Sequence, residues 1–395
     1  MTPLETCFAP AALNGLTLKN RFIKAATFEN RTPQGVPGQA MQDFHGTIAD
    51  GGIAMTTLAY CAVENAGRLN ENMMVMEEAI AEPLAHLIGD LHKRGAHVSG
   101  QMAHCGGFSK NATLGFRDIR GPSLNFNSLG ATKGKFISPA MSAADIEALI
   151  ETYGRAAQFM AQVGFDAVEI HFGHGYGLHQ FISPRTNRRA DKYGDSFENR
   201  MRLPLAVLAK VRAVVGDDFP IIGKISLTEG VKGGMGFDDA VAVARALDQG
   251  GIDGIVTSGG TSTRNPAIMF RGGNLLPGMI AHEKSAVMRA VLRAAKPVMF
   301  PEYPYEDLYF RDGARRVREA VECAVIYVGG ASNNDSFAQL MADGFDFIQL
   351  GRTLLSDPDL VNRAAADPDF RARCIHCNDC VGTIESAKGA HCPRF

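Results

Sequence analysis

Tryptophan is absent from the 395 residues. That removes the indole-walled cage, one of the stronger ways to hold an ammonium ligand. Net charge is almost absent as well: 40 Lys and Arg stand against 42 Asp and Glu, leaving −2. Such a balance favours neither nucleic acid nor an anionic membrane surface as a partner. Apolar runs are strand-length, and none reaches the roughly 18 residues of a membrane-crossing helix. Residues 1–8 have no basic start ahead of an apolar core, so no secretory leader is visible and the cytoplasm is the expected location. No low-complexity linker and no solenoid-length repeat is present.

What is present alternates. Apolar, β-branched runs at 20–27, 52–60, 97–103, 166–172, 220–227, 253–258, 324–329 and 345–351 read as strands. Between several of them lie stretches of helical period, at 78–94, 142–163, 200–215 and 237–249, the second with Ser142 as N-cap and Asp145 in its first turn. Continuously apolar strands alternating with helices imply a parallel sheet buried on both faces. Eight such units predict an α/β fold, a closed (β/α)8 TIM barrel, for which roughly 250 residues is typical and more than 400 occurs. A ninth strand-like run, 296–301, is assigned to an insertion before the seventh barrel strand. An open doubly wound sheet is the competing fold, weakened because no GxGxxG follows the first strand. Residues 106–139, rich in Gly, Ser and Asn, read as a long loop over the barrel mouth. The barrel is expected to occupy 1–365, followed by a cysteine-containing extension over 366–395.

Reactive groups in such a barrel gather where the strands end and the loops begin. The most informative stretch is 166–200, DAVEIHFGHGYGLHQFISPRTNRRADKYGDSFENR. Its strand ends at His171, and His174 and Tyr176 follow at once. Two histidines three apart can turn the same way beyond a strand and offer two donors to one carbonyl or nitro oxygen. A nearby tyrosine then delivers a proton to the adjacent carbon. Taken alone, a His-x-x-His pair is also a common core or surface pair, or part of a metal site. The surrounding run narrows the choice: Glu169-Ile170-His171, His174-Gly175-Tyr176, His179-Gln180-Phe181, Ser183-Pro184, Asn187, Arg189, Asp191, Tyr193-Gly194 and Glu198-Asn199-Arg200. This pattern closely resembles the hallmark of the old yellow enzyme family of NADH:flavin oxidoreductases.

The resemblance implies an FMN-dependent NAD(P)H oxidoreductase of the ene-reductase type, acting on a small-molecule substrate. It places the substrate's electron-withdrawing group on His171 and His174. Flavin N5 would give hydride to the β-carbon of an activated alkene, and Tyr176 would protonate the α-carbon. Other landmarks follow in order. Ala25, Ala26 and Thr27 take the place of the stretch under the flavin ring, and Phe28 stands where a polar tuning residue is common. The backbone near Ala59 and Tyr60 would contact the ring edge. Gln101 matches the glutamine that reads the pyrimidine edge, for which its amide is suited. Lys224 stands at the end of a buried strand where many relatives have Arg. A buried cation needs a partner, and the reduced flavin anion is the expected one. Gly329 and Gly330 end one strand and Gly351 and Arg352 the next, the usual place for a phosphate in these barrels.

Cys374, Cys377, Cys380 and Cys392 crowd the last 22 residues. Their C-x2-C-x2-C spacing with a distal Cys fits an iron–sulfur or zinc site, with His376 as a substitute ligand. The tail is similar to the iron–sulfur branch that includes dienoyl-CoA reductases, where three residues usually separate the second and third Cys rather than two. A metal-free, thiol-rich tail at a subunit contact is the other reading, and a homo-oligomer is expected. Two further functions stay open: oxidative dehydrogenation or demethylation of an amine or ether, and a catalytically idle flavin-binding module. Paired histidines favour a neutral oxygen acceptor over a cationic amine.

Overall fold

The computed structural model describes residues 1–395 except 284, 285 and 300. Eight parallel strands close a barrel: β1 (Phe22–Lys24), β2 (Met55–Ala62), β3 (His97–Ala103), β4 (Ala167–Phe172), β5 (Ile221–Ser226), β6 (Gly254–Ser258), β7 (Ala324–Tyr327) and β8 (Phe347–Leu350). Each pairs with its neighbour in sequence, and β8 pairs back onto β1 through Ile348↔Phe22 and Leu350↔Lys24. The (β/α)8 expectation is met, and every barrel strand falls inside a run read as a strand or overlaps it by most of its length.

The run at 296–301 is a correction. Lys296–Met299 completes the helix Ala286–Met299, position 300 lies outside the described residues, and Pro301 belongs to no regular element. The composition of that run was strand-like, but its N-terminal neighbours are helical in period and carry the chain through Pro297. The eight strands close on themselves, and among the described residues only the two-residue strand Met74–Val75 is added, beside the end of β2. Helix starts were better marked. Ser142 accepts from the Asp145 N–H while Asp145 reaches back to the Ser142 N–H, a reciprocal cap on Ala143–Gln162.

Side chains inside the barrel form layers, because residues two apart on a strand face the same way. The floor is apolar: Ile23, Met55, Ala167, Ile222, Val256, Ile326 and Phe347 pack together, plugged from below by Leu13 and Leu18 of the N-terminal hairpin. One step up, the lining turns polar, with Thr57, Ser99, Glu169, Lys224 and Gln349 all buried. Above them stand Gln101 and His171. Apolar floor and polar upper layer together aim the chemistry at one end.

Candidate active site

His171 is the penultimate residue of β4 and is buried. Its Nδ1 accepts the Gly173 N–H at 3.3 Å, which puts the ring proton on Nε2, and Nε2 has no partner among the described residues. His174 lies in the left-handed region (φ 57°), so the chain turns sharply and brings its ring to 4.9 Å from that of His171, nearly perpendicular. The turn is fixed from below: the Ser226 hydroxyl accepts the His174 N–H at 2.9 Å, and Ser258 Oγ lies 2.8 Å from His174 Nε2. When Ser258 donates in that contact, the His174 proton resides on Nδ1; when it accepts, the proton is on Nε2. Burial, with Lys224 and neighbouring histidines adding repulsion, holds both rings well below the ordinary histidine pKa. Both rings are neutral, and His171 presents a free Nε2–H.

Tyr176 stacks 4.4 Å from His171, with Phe108 at 4.9 Å and Tyr60 at 5.1 Å. Burial, with the neighbouring Tyr60 and Cys105 adding to it, raises its pKa well above 10. Phe28 stacks on Tyr60 at 5.5 Å. Thr27, beside Phe28, spends its hydroxyl on the Glu29 carboxylate at 2.8 Å. The structure thus brings His171, His174 and Tyr176 into one cluster.

Ala25 and Ala59 are buried, Ala26 half-buried, and Ala25 donates its N–H to Leu350 O at 2.8 Å. Gln101 is buried, donates through Nε2 to Glu169, and leaves Oε1 without a partner. Lys224 does not wait for a flavin: its Nζ lies 2.9 Å from Glu169 Oε1. Glu169 also accepts from Gln349 Nε2 at 2.7 Å, whose Oε1 is likewise unpartnered. Glu169 and Gln349 were overlooked as site residues. The signal was there, since a carboxylate in the middle of an apolar strand needs a buried cation.

At the phosphate end, Gly329 (φ 139°) and Gly330 (φ 80°) adopt backbone that side chains disfavour. A Cβ on Gly330 would lie 2.9 Å from Leu308 N. Gly351 precedes the short helix Arg352–Ser356. Arg352 is drawn towards the tail, donating to Asn378 Oδ1 and, at 3.0 Å, to Arg271 O.

The tail folds back onto the barrel through Asn378, which donates to Phe270 O and Gly273 O at 2.6 Å each. Cys374, Cys377, Cys380 and Cys392 line one small cavity with Arg352 and His376. All four are free thiols, and burial pushes Cys380 up to about 12. Among the described residues, no three or more His, Cys, Asp or Glu side chains converge as a metal-ion site. His376 instead stacks on Tyr305 at 3.5 Å, and Cys377 accepts from Arg394 at 3.2 Å. The arrangement does not support the zinc or iron–sulfur expectation.

Residues 6–261 match the model of the NADH:flavin oxidoreductase / NADH oxidase family. The chain belongs to that family. It is 35% identical over 385 residues to a 4,4'-dithiodibutanoate disulfide reductase of Rhodococcus erythropolis, covering 97% of this chain and 94% of the relative. A metal reductase of Desulforamulus reducens is 26% identical over 98% of this chain, which spans only 53% of that protein. Among solved structures, 2-naphthoyl-CoA reductase shares the fold with a TM-score of 0.80 at 20% identity, over 98% of this chain and 56% of that one. Morphinone reductase does so with 0.68 at 22%, over 94% and 96%.

FMN fits the residues present. Gln101 Oε1, Gln349 Oε1 and His171 Nε2 are buried without a partner among the described residues, and buried polar atoms of native proteins are rarely left so. The family and this lining make the chain an FMN-dependent NAD(P)H oxidoreductase. No helix among the described residues is long and apolar enough to cross a membrane.

Proposed function

We propose that the enzyme reduces the C=C bond of an activated alkene such as an enone. The observation that carries this reading is the orphaned, buried Nε2–H of His171, stacked against Tyr176 and set square to His174. Ala25, Ala26, Thr27, Ala59, Gln101 and Lys224 would hold FMN, with Gly329, Gly330, Gly351 and Arg352 as its phosphate residues, and the flavin would supply a hydride taken from NAD(P)H. Our reading gives the protein the remaining tasks. His171 Nε2–H and His174 Nδ1–H donate to the substrate oxygen and draw electron density from the double bond. They act as neutral donors, so no buried positive charge has to be maintained between turnovers. Tyr176 keeps its proton until a strongly basic carbon forms beside it, as its raised pKa requires, then delivers it. Phe28, Tyr60 and Phe108 wall the reacting atoms from water. Residues 366–395 read as an extension of the barrel and take no part in these steps.

The 35% relative favours a second reading on the same site. A disulfide could take the alkene's place: hydride adds to one sulfur, the S–S bond breaks, and Tyr176 protonates the departing thiolate, giving two thiols. Anaerobic reoxidation of the NADPH-reduced enzyme separates the two. Reoxidation by 2-cyclohexenone with saturated ketone as product supports the alkene reading; reoxidation by a dialkyl disulfide alone replaces it. Tyr176→Phe is expected to slow the oxidative half-reaction at least tenfold more than the NADPH half-reaction, and equal effects remove Tyr176 from the donor role.

A further inference from the structure

The loops after β4 and β6 carry three arginines, Arg185, Arg188 and Arg264, that form no ion pair with a carboxylate among the described residues. Arg264 follows β6, on a loop tied to the site: the Ser262 N–H donates to His174 O at 2.9 Å, and the Arg264 N–H to Thr261 O at 3.3 Å. The Arg264 side chain is half-buried, and among the described residues it makes no hydrogen bond and no ion pair. Burial and the like charges of Arg185 and Arg188 both work against its cationic form. Among the described residues the Arg185 side chain donates only to Lys232 O, and its buried Nε has no partner. Arg188 donates to Asn125 Oδ1 at 2.9 Å and to the Leu124 and Arg185 carbonyls. Glu229 offsets the charge of Arg264; its Oε1 lies 3.3 Å from His179 Nε2 without a hydrogen bond, and among the described residues it forms no ion pair with Arg264. Elsewhere on the molecule, half-buried Arg212 and Arg311 pair with Asp253 and Asp343, and half-buried Arg21, Arg31, Arg200 and Arg352 donate to backbone carbonyls.

Holding one desolvated guanidinium beside two others is costly unless an anion arrives to satisfy them. We propose that Arg264, backed by Arg185 and Arg188, binds a carboxylate or similar anionic group on the oxidising substrate. The enzyme's preferred acceptors are then short acids whose reducible group reaches His171 and His174. The position argues against the nucleotide as the anion's source. Arg264 is two residues from a backbone contact with His174, whereas the pyrophosphate of NAD(P)H is separated by a ribose from the carbon that gives hydride. The proposal rests on the alkene-reducing site described above.

Two measurements on the FMN-loaded enzyme test it. In the first, butanoate and butanamide, neither of them reducible, are titrated against the visible flavin spectrum. Butanoate is expected to bind at least tenfold more tightly, an advantage that Arg264→Ala abolishes and Arg264→Lys partly restores. In the second, the reduced enzyme is reoxidised by 4-oxopent-2-enoate or its neutral primary amide, and the acid:amide ratio of kcat/KM should fall at least tenfold in Arg264→Ala. Equal binding of butanoate and butanamide by the wild type overturns the proposal. So does a greater loss of NADPH affinity than of butanoate affinity in Arg264→Ala, because the cluster would then serve the nucleotide. If the butanoate preference depends on Arg264 while neither enone reoxidises the flavin, the anion site stands and the alkene reading falls.

Discussion

Lys224 Nζ and Glu169 Oε1 lie 2.9 Å apart in the polar layer of the barrel, and both side chains are buried. Glu169 also accepts from Gln101 and Gln349. The carboxylate therefore holds one cation and two carboxamides in the places from which they would meet the flavin. Glu169→Gln leaves Lys224 as a buried charge without its counter-ion, and breaking one side of such a pair costs about 3–5 kcal/mol. Urea unfolding of the enzyme should show a loss of that size. The double variant Glu169→Gln/Lys224→Met should recover more than half of it. Additive losses in the double variant would mean that the two groups do not act as a pair.

Acidification should destabilise the enzyme through its buried histidines. His45, His171 and His174 are all held well below the ordinary histidine pKa near 6.5, by burial first and nearby positive charge second. Below about pH 6.5 the unfolded chain takes up protons that the folded chain refuses. Stability is thus full above that pH and is lost as pH falls, by about 1.4 kcal/mol per pH unit for each such group. His45 lies outside the barrel wall, with its Nδ1 2.7 Å from Thr56 Oγ1. His45→Gln should lower the slope of unfolding free energy between pH 6 and 5 by about that single-group amount. An unchanged slope would show that His45 takes up its proton without unfolding.

The tail depends on Asn378 more than on its cysteines. Asn378 occupies left-handed backbone (φ 66°), which Asn tolerates. It is buried, with its amide on two barrel carbonyls and its oxygen on Arg352. Removing those bonds with Asn378→Ala should cost about 2 kcal/mol, enough to open the tail roughly 30-fold more often. Limited proteolysis should then cut within 366–395 while the rest of the chain stays intact. A digestion rate equal to that of the wild type would show that other contacts hold the tail.

The eight barrel strands, the Ser142 cap and the His171, His174 and Tyr176 set were legible in the sequence because each depends on local pattern: apolar runs, a capping triplet, a motif at fixed spacing. What escaped depended on distant partners. The expectation that Lys224 awaits a flavin anion missed Glu169, which lies on the neighbouring strand and comes within reach only when the barrel closes. Arg352 was read as a free phosphate ligand, but the returning tail engages it through Asn378. The cysteine spacing suggested a metal centre, while the folded tail sends His376 to Tyr305 and Arg394 to Cys377. The unmatched charge of Arg264 could not be seen at all, since sequence counts charges over the whole chain and balances them to −2. Periodicity and motif fixed which groups face the barrel mouth. Only the tertiary structure decided which of them are already satisfied, because pairing is set by distances that chain order does not contain.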